Sequence, residues 1–174
     1  NDAGSGSYAT LRETASLLGR LGSWDVAAAV HLLSTDGHRD GAGGNELVGA
    51  TAVRYRFTEE LKLTLRNKVV HLVGADTGPA SHPFADHGYD VWRDTASLQL
   101  AWRGDSHRLR VTPYLNVGIH RLYDGFRSLD FVGGGNADLE LKPYRWIDLQ
   151  LGLGVEHVSG KVENRITGDR MEVR

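Results

Sequence analysis

Cysteine is absent from the chain, which removes disulfide frameworks, thiolate zinc sites and cysteine nucleophiles together. Methionine occurs once and proline four times in 174 residues. No stretch approaches the roughly 18 consecutive apolar residues of a membrane-spanning helix. Charge of one sign is lacking too: 20 basic against 22 acidic residues leave a formal net charge of −2. Nothing in that balance recruits nucleic acid or an anionic membrane surface. Asn1–Ser7 is small and polar and does not read as a secretory leader. An exported protein would be seen here as its mature chain or as an excised piece, with residues 1–6 a disordered lead-in.

What the chain does have is glycine and alternation. Twenty-two glycines point to turns, and the dominant hydrophobic period is two. Leu109, Val111, Pro113, Leu115, Val117 and Ile119 interleave with Arg108, Arg110, Thr112, Tyr114, Asn116, Gly118 and His120. Ile147, Leu149, Leu151, Leu153 and Val155 alternate with Asp148, Gln150, Gly152, Gly154 and Glu156. Leu47–Phe57 and Leu61–Arg66 repeat the pattern, and weaker versions run through Tyr8–Leu18, Trp24–Leu33, Val91–Trp102 and Phe131–Leu141. This predicts eight strands, most of ten or more residues, long for an ordinary soluble sheet.

The connections are unequal. Short ones are expected near Arg20–Ser23, Thr58–Glu60, Gly104–Ser106 and Pro143–Arg145. Long polar ones are expected near Ser34–Glu46, Gly74–Asp90 and Arg121–Asp130, with another after Val158. Short turns at one end and long loops at the other are the layout of outer-membrane β-barrels. Four aromatics, Trp24, Phe57, Trp102 and Trp146, flank the four short turns. Rings gathered at one level form an interfacial girdle in such barrels.

The expected fold is therefore all-β: an antiparallel up-and-down transmembrane barrel of about eight strands, either a closed small barrel or a segment of a larger one. Residues 7–160 supply the strands, and residues 161–174 an extracellular loop or tail. In that arrangement apolar faces meet lipid and charged faces line the lumen. Arg54, Arg56, Lys62, Arg66, Arg108 and Arg110 would then face Asp138, Glu140, Asp148 and Glu156 inside. These charges would pair across the lumen, hold a plugging element, or simply be solvated. A soluble lipocalin-like binding barrel is the competing arrangement, with the apolar face turned inward.

Several segments resemble the early barrel strands of TonB-dependent outer-membrane receptors. They are Gly6–Arg12 (GSYATLR), Ser34–Asp40 (STDGHRD), Tyr55–Leu65 (YRFTEELKLTL), His120–Ser128 (HRLYDGFRS) and Gly160–Gly168 (GKVENRITG). The resemblance implies a bacterial outer-membrane location and uptake of a siderophore, cobalamin or a similar small nutrient. It also implies outer-membrane lipid, a plug domain and TonB as partners, and no nucleic acid. Such receptors resemble twenty-two-stranded barrels with an amino-terminal plug, and no plug or energy-coupling box is recognisable here. The chain also lacks a terminal aromatic after Met171-Glu172-Val173-Arg174. The expectation is thus strands two through nine of a larger receptor, or a small stand-alone barrel or pore, natural or engineered.

Chemistry-bearing residues are sparse. His38 and Arg39, between Asp36 and Asp40, and His120 with Arg121 at a strand top, are the ligand-contact candidates. His82, Asp86 and His87 share a loop, but His-Pro and Asp-Gly pairs are ordinary turn chemistry, so neither metal nor cofactor is expected. Ser106-His107 sits in a short turn without a glycine-flanked nucleophile elbow. Gly133-Gly134-Gly135 lacks the following Lys and Ser/Thr of a phosphate loop and is expected to allow bending or close packing of the wall. The chain is not expected to be an enzyme.

Overall fold

The computed structural model describes the backbone of residues 2–6 and all of residues 8–84 and 87–173. They form ten strands in one antiparallel sheet, in sequence order, and no helix occurs among them. The strands are β1 (Asp2–Gly6), β2 (Thr10–Leu21), β3 (Trp24–Thr35), β4 (Gly44–Arg56), β5 (Leu61–Ala75), β6 (Gly88–Arg103), β7 (His107–Leu122), β8 (Phe126–Tyr144), β9 (Ile147–Asn164) and β10 (Arg170–Val173). The eight strands expected from alternation are β2–β9. Their lengths reach 19 residues in β8, beyond the usual range for globular sheets.

The sheet is open, because β1 and β10 do not pair with each other. At one edge β1 covers only Thr10–Thr14 of β2. At the other, β10 covers only Gly160–Glu163 of β9. Two of these elements differ from expectation. The segment expected as a disordered lead-in carries β1, and the one expected as a loop or tail carries the end of β9 and all of β10. In both places a short run folds back to satisfy backbone groups that a bare edge leaves unpaired.

The connections also need one correction. The β3–β4 and β5–β6 loops are long, but β7 and β8 are joined by Tyr123-Asp124-Gly125 alone. The ladder runs on through His120↔Ser128 and Arg121↔Arg127. Gly125 takes φ 82°, the left-handed conformation that closes a three-residue hairpin. The Asp-Gly dipeptide carried that signal. Long connections therefore do not occur at every step of that end.

Register sorts the side chains into two faces. One runs Trp24–Tyr55–Leu63–Leu100–Val111 and, a pleat away, Leu61–Trp102–Leu109–Leu139–Leu151. The other carries Asp25–Arg54–Thr64 and Arg110–Asp138. On β6 the apolar positions Trp92, Leu98, Leu100 and Trp102 are exposed, whereas the alternate positions Arg93, Thr95, Ser97 and Gln99 are half-buried. On this strand the polar side is the more sheltered, although on β8 Asn136 and Asp138 are exposed and Leu139 is half-buried. We call the polar side inner and the apolar side outer. Among the described residues no large apolar side chain is buried, while Thr64 on the inner face is 5% exposed.

Pro113 lies inside central β7, where it cannot donate to the ladder. The pairing with β6 lapses between Ser97↔Tyr114 and Leu100↔Val111. The Gln99 amide spans the gap on the inner face, donating to the Thr112 hydroxyl at 3.4 Å.

Candidate functional site on the inner face

Register places the ten charges expected to line a lumen on one face, here called inner. Their pairing is local. Asp25 accepts from Arg20 Nε at 2.6 Å and pairs with Arg56 at 3.1 Å. Arg108 donates to Glu140 at 2.9 Å, and Lys142 meets Asp148 at 3.0 Å. Glu156 accepts from the Tyr114 hydroxyl at 2.7 Å. Each bond joins strands no more than two apart. Lys62, Arg66, Arg110 and Asp138 have no ion pair among the described residues, and Arg54 reaches only the Thr64 hydroxyl, at 3.4 Å.

Two bridges of the inner face pass over a glycine. Arg93 on β6 reaches Asp130 on β8 at 3.2 Å, crossing β7 at Gly118. A methyl there would stand 2.5 Å from the Asp130 carboxylate and 2.8 Å from the Arg93 guanidinium. Tyr114 on β7 reaches Glu156 on β9 across Gly134, where a methyl would stand 2.7 Å from the hydroxyl. That is what one member of the Gly133-Gly134-Gly135 run does: it lets a polar bridge lie flat on the wall. Sequence reasoning missed Arg93, Asp130 and Asp25, although each sits at the inner parity of its strand.

No protein-family model matches the chain, and no curated protein matches it.

The ligand-contact candidates do not converge. His120 faces inward, its Nε2 3.5 Å from Arg93. Arg121, the next residue, faces outward and donates to Asp90 at 2.9 Å. Neighbours on a strand point to opposite faces, so the two share no site. His38 is exposed in the β3–β4 loop. Arg39 donates to the Gly78 carbonyl and so ties that loop to the β5–β6 loop. Of the His82, Asp86 and His87 trio, Asp86 lies outside the described residues; His87 stacks on Tyr123 at 3.7 Å. Among the described residues no three His, Asp or Glu side chains gather as metal ligands.

The four turn-flanking aromatics all lie at the short-turn end. Trp24 stands 4.6 Å from Tyr55, and Tyr55 meets Phe57 edge-on at 4.7 Å. Trp102 packs edge-on against His107 at 4.4 Å. Trp146 stacks on Tyr144 at 5.8 Å and is 80% exposed. Tyr55 and Tyr144 extend the set beyond the four expected from the sequence.

At the same end, the Thr58 hydroxyl donates to Glu60 at 2.7 Å and accepts the amides of Glu60 and Leu61. The Thr58 bond and the Glu60 backbone N–H hold the Glu60 carboxyl below its ordinary pKa, against a smaller desolvation effect, with Lys62 assisting. Ser106 and His107 are not hydrogen-bonded to each other, and the one hydroxyl–imidazole bond among the described residues, Thr14 with His31 at 2.9 Å, has no carboxylate on the ring.

Proposed function

We propose that the chain forms part of the wall of a bacterial outer-membrane β-barrel of the TonB-dependent receptor kind, serving uptake of a siderophore, cobalamin or similar small nutrient. The observation that carries this reading is the sidedness of the sheet. Trp24, Trp92, Trp102 and most of the leucines lie on the outer face, and none of these large apolar side chains is buried among the described residues, while the ten charges expected in a lumen share the opposite face. Water penalises that arrangement at about 25 cal/mol per Å² of apolar surface left exposed. Hydrocarbon favours it.

The dimensions agree. From Leu109 to Ile119 the outer side of β7 covers about 34 Å along the strand. At the tilt of about 40° usual in such barrels, this gives a band roughly 26 Å tall, close to the ~25 Å expected. The aromatics mark one boundary. Asp90, Arg121, Arg127 and Glu163 mark the other; within the band Asn67 donates to Asp94, and at its Ile119 level His71 pairs with Asp90.

The open edges favour a segment of a wider wall. Among the described residues, Ser16–Leu21 of β2 and Ile147–Val158 of β9 have no outer neighbour. Bare strand edges cannot face hydrocarbon, where unpaired backbone groups find no water. Further strands must flank them, or β2 must close on β9 to make a small stand-alone barrel. Energy-driven transport belongs to a plug and to TonB, not to these strands.

The test is extraction and reconstitution of the full chain. The expected outcome is a protein that needs detergent, inserts into vesicles and migrates differently on gels before and after heating. A monodisperse, detergent-free soluble species would overturn the proposal.

A further inference from the structure

The inner face contains a set of cations that its own carboxylates leave unused. Lys62, Arg66 and Lys68 occupy alternate inner positions of β5, on either side of Thr64 and beyond it. Among the described residues none has a carboxylate within 4.0 Å. Register explains why. Arg66 lies between Ala52 and Ser97, and Lys68 lies between Ala50 and Thr95. Lys62 has Arg56 on one side and Ala101 on the other. No acid stands beside Arg66 or Lys68 in their rows, Lys62 acts on the Glu60 carboxylate of the adjoining turn, and the acid farther along the row of Arg66, Glu156, is already engaged by Tyr114.

The same region holds a recess. Four consecutive inner positions on β3 and β4 are alanines: Ala27, Ala29, Ala50 and Ala52. They leave a cavity of about 530 Å³ with Arg66 and Lys68 on its rim. That volume falls within the 300–1,000 Å³ typical of small-ligand sites. The hydroxyls of Thr95 and Ser97 border it.

We infer that this recess binds a small polyanion, of the oligophosphate or tricarboxylate class. Arg66 and Lys68 stand about 7 Å apart along the strand, a separation that two anionic groups of one molecule can span. The Arg66 fork suits a bidentate oxyanion, and Lys68 and Lys62 add point charges. The methyl floor accepts the uncharged backbone of the ligand, and the hydroxyls donate to its remaining oxygens. A nucleic acid fits less well, since no aromatic side chain lines the recess for bases to stack upon.

The experiment is calorimetric titration of the full chain with inorganic tripolyphosphate and, separately, with citrate, at low and high salt. Saturable binding that weakens with salt is expected for at least one. Arg66→Gln combined with Lys68→Gln should weaken it at least about tenfold, as expected for losing charge-assisted bonds. Each single substitution serves if the double variant does not fold. Arg66→Lys with Lys68→Arg should retain most of the affinity, and Arg127→Gln on the outer face should leave it unchanged. No saturable binding, or equal affinity in the Gln variants, would overturn the site. This inference does not rest on the membrane reading. A soluble chain that binds would defeat only the earlier proposal, and an inserted chain that does not bind would defeat only this one.

Discussion

On the outer face, Leu65 and Leu98 meet as register partners, and Leu115 sits two pleats from Val111, with no hydrogen bond required of any of them. One residue along the same strands, on the inner face, Arg93 needs Asp130, Tyr114 needs Glu156, and glycines must lie beneath both bridges. The outer face thus depends on its solvent and is tolerant of which apolar residue stands where. The inner face depends on its neighbours and is tolerant of none that intrude. A single period-two pattern therefore encodes two kinds of constraint, one set by the surroundings and one by geometry.

The sharpest way to break that comparison is a charge at adjacent positions of β9. Leu151, 62% exposed on the outer face, should cost about 2–4 kcal/mol when changed to Arg in a bilayer. Gln150→Arg, facing inward, should cost little. Denaturant unfolding from vesicles measures both, and equal losses would mean that the two faces do not meet different solvents.

A methyl under an ion pair probes the inner face. Gly118→Ala forces Asp130 and Arg93 apart and should destabilise by about 1–3 kcal/mol, the usual range for overpacking. The loss should shrink in an Arg93→Ala, Asp130→Ala background, because the methyl then has nothing to displace. An unchanged loss would show that the backbone at Gly118, and not the bridge, is what resists.

Smaller effects sharpen the contrast further. Arg108→Ala removes a bond between two partly exposed groups and should cost no more than about 1 kcal/mol. If the inner face were dry, the loss would be several-fold larger.

The smallest effect lies in the β4–β5 turn. Glu60 has a depressed pKa in the folded turn, so it stabilises above the unfolded-state value and loses that contribution as pH falls through the folded one. The window lies at and below about pH 4.5. Carboxyl titration by NMR should show the Glu60 pKa rising toward its ordinary value in Thr58→Val. No change would mean that the hydroxyl bond does not hold the carboxylate.

Much of the scaffold was legible in the order of residues. Side-chain alternation on a strand is a local consequence of backbone geometry. Leu109–Ile119 and Ile147–Val155 therefore announced their two faces, and every expected inner charge fell on one side. The aromatics beside the short turns were legible for the same reason, since a turn fixes which strand ends lie together. The β7–β8 hairpin was misjudged because the polar, glycine-bearing sequence at Leu122–Phe126 reads equally as a loop. Only the continued Arg121↔Arg127 pairing distinguishes them.

Partners across strands were not legible. That Arg93 meets Asp130, that Tyr114 meets Glu156, and that Arg66 meets no acid depend on the relative slide of β5 through β9. Register is set by the sum of many backbone bonds and by the turns, not by the residues it brings face to face. The sequence by itself determined that the chain makes long antiparallel strands with one oily and one charged side, because that period belongs to each strand alone. Only the tertiary structure decided that the sheet's edges stay open, and that the alanines of β3 and β4 lie beside the unpaired cations of β5, because those facts exist only between strands.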